Sequence, residues 1–174
     1  MISECILEGD LVRLRPVEER DLRKFVSWLA DPEVRYWLSL PEAPTLSSER
    51  QWLRDSREET DRLVWAIETG DGRLIGTIDL HYIDETEGRA QLGVAIQDKS
   101  EWSKGYGADA IRQVLKHAFT EVGLRRVGLT VDVDNVRAIR CYEKCGFQRE
   151  GLLRAYRLRE GQPVDALMMS VIRS

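Results

Sequence analysis

The sequence predicts a mixed α/β fold, in which one sheet carries helices on both faces, from three observations. Two strand-like segments, 63–68 and 74–83, are joined by a Gly70-Asp71-Gly72 turn, which is typical of a hairpin. A long segment with helical spacing follows a glycine-containing loop near Gly105. Strands and helices then alternate to the end of the chain, an order that favours a mixed sheet between helical layers.

The first third of the chain predicts one strand and two helices. Residues 11–14 alternate weakly between apolar and polar and are predicted as the first strand. A helix follows, ended by Pro32 because the residue before a proline avoids helical angles. Its inward face is formed by residues at i, i+3, i+4 and i+7: Leu22, Phe25, Val26 and Leu29. A second short helix is predicted to begin near Ser47 or Ser48, where Ser48 and Gln51 fit a capping box.

The middle of the chain contains the clearest helix. Residues 84–88 form a predicted turn into a strand over 89–96. The helix beyond the glycine loop ends near Val122, and Gly123 stands where a C-terminal cap glycine belongs. Its apolar face keeps helical spacing over three turns: Ile111, Val114, Leu115, Ala118, Phe119 and Val122.

The last third predicts three strands and one helix. Residues 127–133 alternate as a strand. A short helix over 135–144 is stopped by Gly146. Strands over 147–156 and 164–172 complete the predicted sheet.

Length and composition limit the function classes. The 174 residues fit one domain over 1–174, with no apolar run near the roughly 18 residues of a membrane span and no secretory signal. The net charge of −4 argues against nucleic-acid binding. An odd cysteine count favours a reducing compartment, so we expect a cytoplasmic protein. From the apolar runs and the net charge we expect that it binds neither membrane nor nucleic acid. The cysteines are Cys5, Cys141 and Cys145.

The loop before the long helix has the features of an anion site. Gly105 and Gly107 allow a tight turn and a close approach of the backbone to a ligand. The first N–H groups of a helix lack partners within it, and the helix dipole adds positive potential there. Strand, glycine loop and helix together therefore predict a seat for a pyrophosphate. The alternative is a solvent-exposed strand-to-helix turn.

A second motif makes the assignment more specific. Asn135, Ala138, Tyr142 and Gly146-Phe147 follow the glycine loop at fixed spacings. Together with Lys104-Gly105-Tyr106-Gly107-Ala108, they resemble the GCN5-related N-acetyltransferase (GNAT) superfamily. Trp102 stands where the general pattern has Gln or Arg. Trp is common there in the branch of ribosomal-protein N-terminal and spermidine acetyltransferases.

The resemblance implies a fold, a co-substrate and its contacts. The family has a mostly antiparallel mixed sheet whose central strand pair splays apart, with acetyl-CoA in the gap. It implies that the loop binds the pyrophosphate and that one strand pairs with the pantetheine arm through its backbone. The side chains of Val94 and Ile96 are expected in the core. The implied acetyl-CoA contacts are Val94, Ala95, Ile96, Gln97, Lys104, Gly105, Tyr106, Gly107, Ala108 and Asn135.

Tyr142 is the predicted catalytic residue. A phenol is protonated at neutral pH and can donate to a leaving thiolate, the general-acid role that the family assigns to the matching tyrosine. The alternative is that Tyr142 only packs beside Ala138, Cys141 and Cys145. Asn135 is a good helix N-cap, which is compatible with a cofactor contact.

The general base stays open between Asp79, His81 and solvent. Thr77, Asp79 and His81 alternate onto one face of their strand, whereas Gln91 stands where relatives often have Glu. Gly93 predicts a bulge or a close approach. No metal site is expected, because the pair Cys141 and Cys145 lacks a nearby histidine or third cysteine and is interpreted as core thiols.

The sequence therefore predicts an acetyl-CoA-dependent N-acetyltransferase acting by direct attack through a tetrahedral intermediate. The acceptor is a protein N-terminus or a small polyamine-like amine, and the family favours a homodimer. Tyr36, Trp37 and Trp52 either shape the acceptor wall or pack in the core. The alternative is a non-catalytic acyl-CoA-binding or regulatory protein that keeps the fold.

Overall fold

The computed structural model describes residues 4–174, which form eight strands and five helices. The strands are Leu7–Glu8 (β1), Val12–Arg15 (β2), Leu63–Thr69 (β3), Leu74–Asp84 (β4), Arg89–Ile96 (β5), Arg126–Asp132 (β6), Gln148–Arg159 (β7) and Gln162–Ile172 (β8). The helices are Leu22–Leu29 (α1), Pro32–Leu38 (α2), Leu46–Glu58 (α3), Tyr106–Thr120 (α4) and Val136–Lys144 (α5).

All eight strands join one sheet in the order β1-β2-β3-β4-β5-β6-β8-β7. Every neighbouring pair is antiparallel except β5 and β6, which are parallel. The parallel pairing covers only three positions and ends where Gln91 lies opposite Gly128. Beyond that point, neither strand pairs with the other over the part of the chain described. The predicted mixed sheet and its splayed central pair are both confirmed.

The two faces of the sheet carry separate apolar cores. One core lies under α4 and α5 and includes the buried α4 residues Ile111, Val114 and Ala118. The other lies under α1 and α3, where Phe25 and Leu53 pack on Val64 of β3. The helix α1 is confirmed: Leu22, Phe25 and Leu29 of its predicted stripe are buried, and the fourth residue, Val26, is half-buried.

Three local predictions need correction. The first strand begins at Val12 rather than at residue 11, and the two-residue strand β1 precedes it. The helix predicted near Ser48 has thirteen residues, and its N-cap is Thr45. Thr45 Oγ1 accepts from the Ser48 N–H at 3.1 Å, and Ser48 Oγ accepts from the Thr45 N–H at 3.0 Å. This reciprocal pair is a capping box three residues before the one predicted.

Candidate active site

The elements predicted from the motifs lie around the gap between β5 and β6. The outer backbone edge of β5 beyond Gln91 borders it on one side, and the end of β6 borders it on the other. The N-terminus of α4 and the helix α5 lie at the same end of the sheet, where α4 packs on β5, β6 and α5. The unpaired backbone groups of β5 can therefore hydrogen-bond an extended ligand that enters the gap.

The glycine loop confirms the predicted turn into α4. Ser103 and Gly105 have positive φ angles of 62° and 90°, and Gly105 is the residue before the helix. No side chain among residues 4–174 caps this helix. The N–H groups of Tyr106, Gly107 and Ala108 therefore remain available for an anion at the positive end of the helix dipole. This arrangement fits a diphosphate.

Gly105 and Gly107 are glycines for different structural reasons. Gly105 adopts a left-handed conformation that other residues adopt only with strain. A Cβ on Gly107 would lie 3.8 Å from Ile96 Cγ1 and 3.9 Å from Cys141 Sγ, which is ordinary contact. The protein itself therefore has room for a side chain at position 107. A ligand that approaches the backbone closely would explain the glycine.

Trp102 joins β5, the glycine loop and α5. Its indole Nε1–H donates to the Ile96 carbonyl at 2.6 Å. The Arg137 guanidinium of α5 lies 3.9 Å from the Trp102 ring centroid, a cation–π contact. Burial lowers the pKa of Arg137. The sequence singled out Trp102 through its place in the motif, but nothing in the sequence predicted its partner Arg137.

Lys104 is tied to the base of the loop by a buried carboxylate. Lys104 Nζ lies 3.1 Å from Glu101 Oε2, and Arg73 binds the other Glu101 oxygen. Arg73 first, and Lys104 second, lower the pKa of Glu101. Because Glu101 is only 4% exposed, this ion pair fixes the start of the loop to the turn between β3 and β4, while the Lys104 side chain stays half exposed.

The predicted contacts on β5 and just after it have different surroundings. Val94 and Ile96 pack against the core on the α4 face, as expected of their side chains. Gln97 is 7% exposed, and its backbone N–H donates to the Ile75 carbonyl at 2.9 Å. Gln97 Oε1 is buried without a hydrogen-bond partner among residues 4–174. It is therefore a candidate acceptor for a donor group of a bound ligand.

Asn135 begins α5, as predicted. Its Oδ1 accepts from the Ala138 N–H at 3.2 Å. The same segment is fixed on its other side by Arg159, which binds Asp134 Oδ2 at 2.7 Å. The cap accounts for an asparagine here, and a cofactor contact of Asn135 stays a prediction.

Tyr142 lies on α5 beside the gap. Its ring packs 5.8 Å from the ring of buried Phe147. Burial first, and the neighbouring Cys141 thiol second, raise the pKa of Tyr142, and Arg157 opposes them. The hydroxyl is therefore a neutral donor throughout the neutral pH range. Arg157 also reaches β6, where it binds Thr130 Oγ1 at 2.7 Å.

Asp79 and His81, two of the candidate bases, are hydrogen-bonded to each other. His81 Nδ1 lies 2.8 Å from Asp79 Oδ2, and Arg62 Nε lies 3.3 Å from the same oxygen. Their predicted common face is confirmed. Gln91, which stands where relatives often have Glu, places its amide over Gly128 of β6, 3.0 Å from where a Gly128 Cβ would lie.

The prediction for Gly93 is half right. The irregularity in this strand pair lies between His81 and Asp84, where Tyr82 has a φ of 50°, so a bulge at Gly93 is wrong. A close approach does occur at Gly93, and the group that approaches is a side chain. A Cβ on Gly93 would lie 2.4 Å from Asp79 Oδ1, so glycine makes room for the carboxylate.

The two cysteines of α5 are half-buried next to the glycine loop. Cys145 Sγ donates to the Ala108 carbonyl at 3.5 Å. The hydrogen bond from Cys145 lowers the pKa of Cys141. No group of three or more possible metal ligands is found within 4–174, and no helix there is long and apolar enough to cross a membrane.

Two of the early aromatic residues, Tyr36 and Trp37, lie beside Arg159 at the end of β7. The guanidinium of Arg159 lies 4.2 Å from the Tyr36 ring centroid and 5.8 Å from that of Trp37. Trp52 instead packs on Phe25 in the core under α1 and α3. A surface cavity of about 650 Å³ lies along α3. Trp52 lines it, but none of the predicted catalytic or cofactor-binding residues does.

Comparisons with known proteins agree with this geometry. The acetyltransferase (GNAT) domain model matches residues 12–148. YoaA of Bacillus subtilis (strain 168), an uncharacterized N-acetyltransferase, is 31% identical over 172 residues, 97% of each chain. The spermidine N(1)-acetyltransferase of Escherichia coli (strain K12) is 29% identical and covers 93% of this chain and 86% of that protein. RimJ of Mycobacterium smegmatis, solved in complex with CoA-disulfide, has a TM-score of 0.88 at 25% identity and covers 97% of this chain and 87% of that chain.

Proposed function

Because the chain belongs to the acetyltransferase (GNAT) domain family, we propose that it acetylates a small cationic amine by direct attack on the thioester of acetyl-CoA. It is an N-acetyltransferase, and acetyl-CoA is the co-substrate of the family. We propose that residues 1–174 act as one domain in this reaction.

The charge of one cleft supports a cationic acceptor. A cleft of about 390 Å³ lies on the face of the sheet opposite α4 and is lined by Glu59, Asp61, Arg62, Asp79, His81 and Tyr82. Three carboxylates face one guanidinium, which gives the cleft a negative balance. Such a cleft attracts an ammonium group. The related protein of Escherichia coli, named for spermidine, supports the same acceptor class.

The glycine loop and the strand β5 would orient the co-substrate. The free N–H groups at the start of α4 would bind the diphosphate, and the β5 edge from Val94 to Gln97 would pair with the pantetheine arm. Asn135 would contact the co-substrate beside the loop. In this arrangement the thioester would lie in the gap between β5 and Tyr142.

Tyr142 would act as the general acid. The neutral amine attacks the carbonyl carbon, and a C–N bond forms in a tetrahedral intermediate. As the C–S bond breaks, the Tyr142 hydroxyl donates its proton to the departing sulfur, and the phenolate regains a proton from the intermediate's nitrogen. One further proton leaves the acceptor before attack, since a protonated amine has no lone pair.

The acceptor class is tested by acetyl-CoA-dependent thiol release with a panel of polyamines and peptides. Added salt should raise the apparent KM for a polyamine, because exposed charges are screened with a Debye length of about 8 Å at physiological ionic strength. A peptide N-terminus is the second candidate, from the family branch. Peptide acetylation without polyamine activity, and with little salt dependence, would refute the polyamine assignment.

We also propose that the chain acts as a homodimer through the edge of its sheet. β7 is the last strand of the order, so one of its backbone edges is unpaired within residues 4–174. Leu152, Tyr156 and Leu158 on this strand are 53%, 53% and 72% exposed. An exposed apolar edge strand favours pairing with another chain. Light scattering of the wild type and of Leu158→Lys tests this, and a wild-type monomer would refute it.

A further inference from the structure

We propose that Asp79 and His81 form a catalytic dyad that removes the proton from the acceptor ammonium, an inference that rests on the acetyl transfer proposed above. His81 Nδ1 and Asp79 Oδ2 are 2.8 Å apart. An ionised carboxylate only accepts hydrogen bonds, so Nδ1 carries the proton of this bond. The other ring nitrogen, Nε2, then keeps its lone pair and can accept a proton.

Strand register places the dyad beside the gap. Asp79 lies opposite Gly93, and His81 lies opposite Gln91, the last residue of β5 that pairs with β6. Directly opposite residues of an antiparallel pair point to the same face. The dyad therefore stands above β5 at the position where β5 and β6 separate.

The missing side chain of Gly93 lets the dyad lie over β5. The imidazole Cε1, which is bonded to both ring nitrogens, is 3.7 Å from where a Gly93 Cβ would be. The same Cβ would collide with Asp79 Oδ1 at 2.4 Å. A side chain at position 93 would therefore push the Asp79 carboxylate away from its place over the strand, whereas the imidazole would be left in ordinary contact.

The dyad is reached from the face opposite α4. Val64 lies opposite Asp79 and packs under α1 and α3, so the dyad shares that face. The side chains of Asp79 and His81 are 16% and 31% exposed. An amine in the cleft therefore meets the imidazole on one side of β5, while the glycine loop lies at the start of α4 on the other side.

An arginine holds the Asp79 carboxylate in place, and the cleft still keeps a negative balance of charge. Arg62 Nε lies 3.3 Å from Asp79 Oδ2, and Arg62 Nη1 lies 3.4 Å from Glu59 Oε2. The Tyr82 ring packs edge-on at 5.0 Å against the imidazole. The charged or titratable groups facing the ring from the neighbouring segments are Glu59, Asp61, Arg62, Asp79 and Tyr82.

The proton balance closes with one proton passed to solvent. The imidazole Nε2 takes one proton from the ammonium, directly or through one water molecule, and leaves a neutral amine. The amine forms the amide, Tyr142 protonates the departing thiolate and is reprotonated by the intermediate, and the imidazolium releases its proton to water. The products are the amide, the CoA thiol and one proton.

The test compares His81→Gln and Asp79→Asn with wild type in the pH dependence of kcat/KM for acetylation. At neutral pH, kcat/KM should be lower in both variants than in wild type. In His81→Gln it should fall by about 10²–10⁴, the usual range for a positioned acid or base. The loss should shrink as the pH rises above the acceptor's own pKa, because the amine is then already neutral. A purely structural role would leave the loss constant with pH.

The matched control is Asp84→Asn. Asp84 lies at the end of the same strand outside the cleft, and its Oδ1 accepts from the Glu87 N–H, a bond that asparagine can keep. We expect a wild-type pH profile from this variant. Acetyl-CoA affinity, measured by calorimetry, should be unchanged in all three variants and shows that each is folded.

The outcomes separate the two proposals. If the wild type acetylates an amine and His81→Gln follows a parallel pH profile, the dyad is refuted while acetyl transfer stands. If the wild type releases no thiol with any amine of the panel, acetyl transfer to amines is refuted, and the dyad with it.

Discussion

Replacing Gly107 with alanine should make the protein more stable and its binding of acetyl-CoA weaker. Position 107 is the second residue of α4, and an added Cβ meets nothing closer than 3.8 Å. Glycine in a helix costs up to about 1 kcal/mol relative to alanine. The free energy of unfolding should therefore rise by up to about that amount, or a Tm shift of about 2–4 °C for a domain of this size.

The effect on binding has the opposite sign because of where the new methyl group lies. It would lie between Ile96 of β5 and Cys141 of α5, beside the N–H groups that we propose bind the diphosphate. A methyl group that displaces the diphosphate from the N–H groups should weaken affinity at least tenfold, which corresponds to about 1.4 kcal/mol. Gly107→Glu should weaken it further, since its carboxylate repels the diphosphate.

Urea unfolding and calorimetry with acetyl-CoA measure the two quantities separately. Gly105→Ala is the control for backbone strain, because φ is 90° there and any side chain is strained, so that variant should lose stability. Wild-type affinity in both Gly107→Ala and Gly107→Glu would refute the assignment of this loop to the diphosphate.

Three further results are expected. Tyr142→Phe keeps the ring, so kcat should fall by about 10²–10⁴ with acetyl-CoA affinity little changed, and wild-type turnover where chemistry limits the rate would make Tyr142 a packing residue. Trp102→Phe removes the hydrogen bond to the Ile96 carbonyl, so the free energy of unfolding should fall by about 1 kcal/mol and acetyl-CoA should bind more weakly. If both values are unchanged, Trp102 does not hold β5, the loop and α5 together. Arg126 first, and Ser170 second, lower the pKa of Glu150 to about 2. A lowered folded-state pKa stabilises above the unfolded value, so the stability difference between wild type and Glu150→Gln should be present at pH 7 and decline from about pH 4.5 to about pH 2, whereas a constant difference in acid titrations would contradict it.

Elements with strong local signals were predicted well. Strand β5 has the predicted bounds, Arg89–Ile96, and α5 begins after Asn135, whose side chain caps it. The start of α3 was wrong, because Thr45 and Ser48 form the capping box that was assigned to Ser48 and Gln51. Several short polar residues stand together there, and only the backbone geometry decides which of them is the cap.

The candidate site was predictable in its motif residues and unpredictable in their partners. Local sequence was enough for the turn of the glycine loop into α4, because two glycines and a helix start are local features. The binding of a diphosphate there stays a prediction. The contacts of Arg62 with Asp79 and of Arg137 with Trp102 join segments 17 and 35 residues apart in the numbering. Arginines occur throughout the chain, so no spacing identifies these two.

The sequence alone determined the fold class and the common face of Asp79 and His81, since these follow from local periods of 3.6 and 2 residues. It also determined the glycine loop, through Gly105 and Gly107. Only the tertiary structure decided that the pair stands above Gly93 at the opening between β5 and β6. That placement depends on the register of β4 on β5 and on the length of the parallel pairing. Both are set by the packing of two cores and many strand contacts at once, which no local pattern encodes.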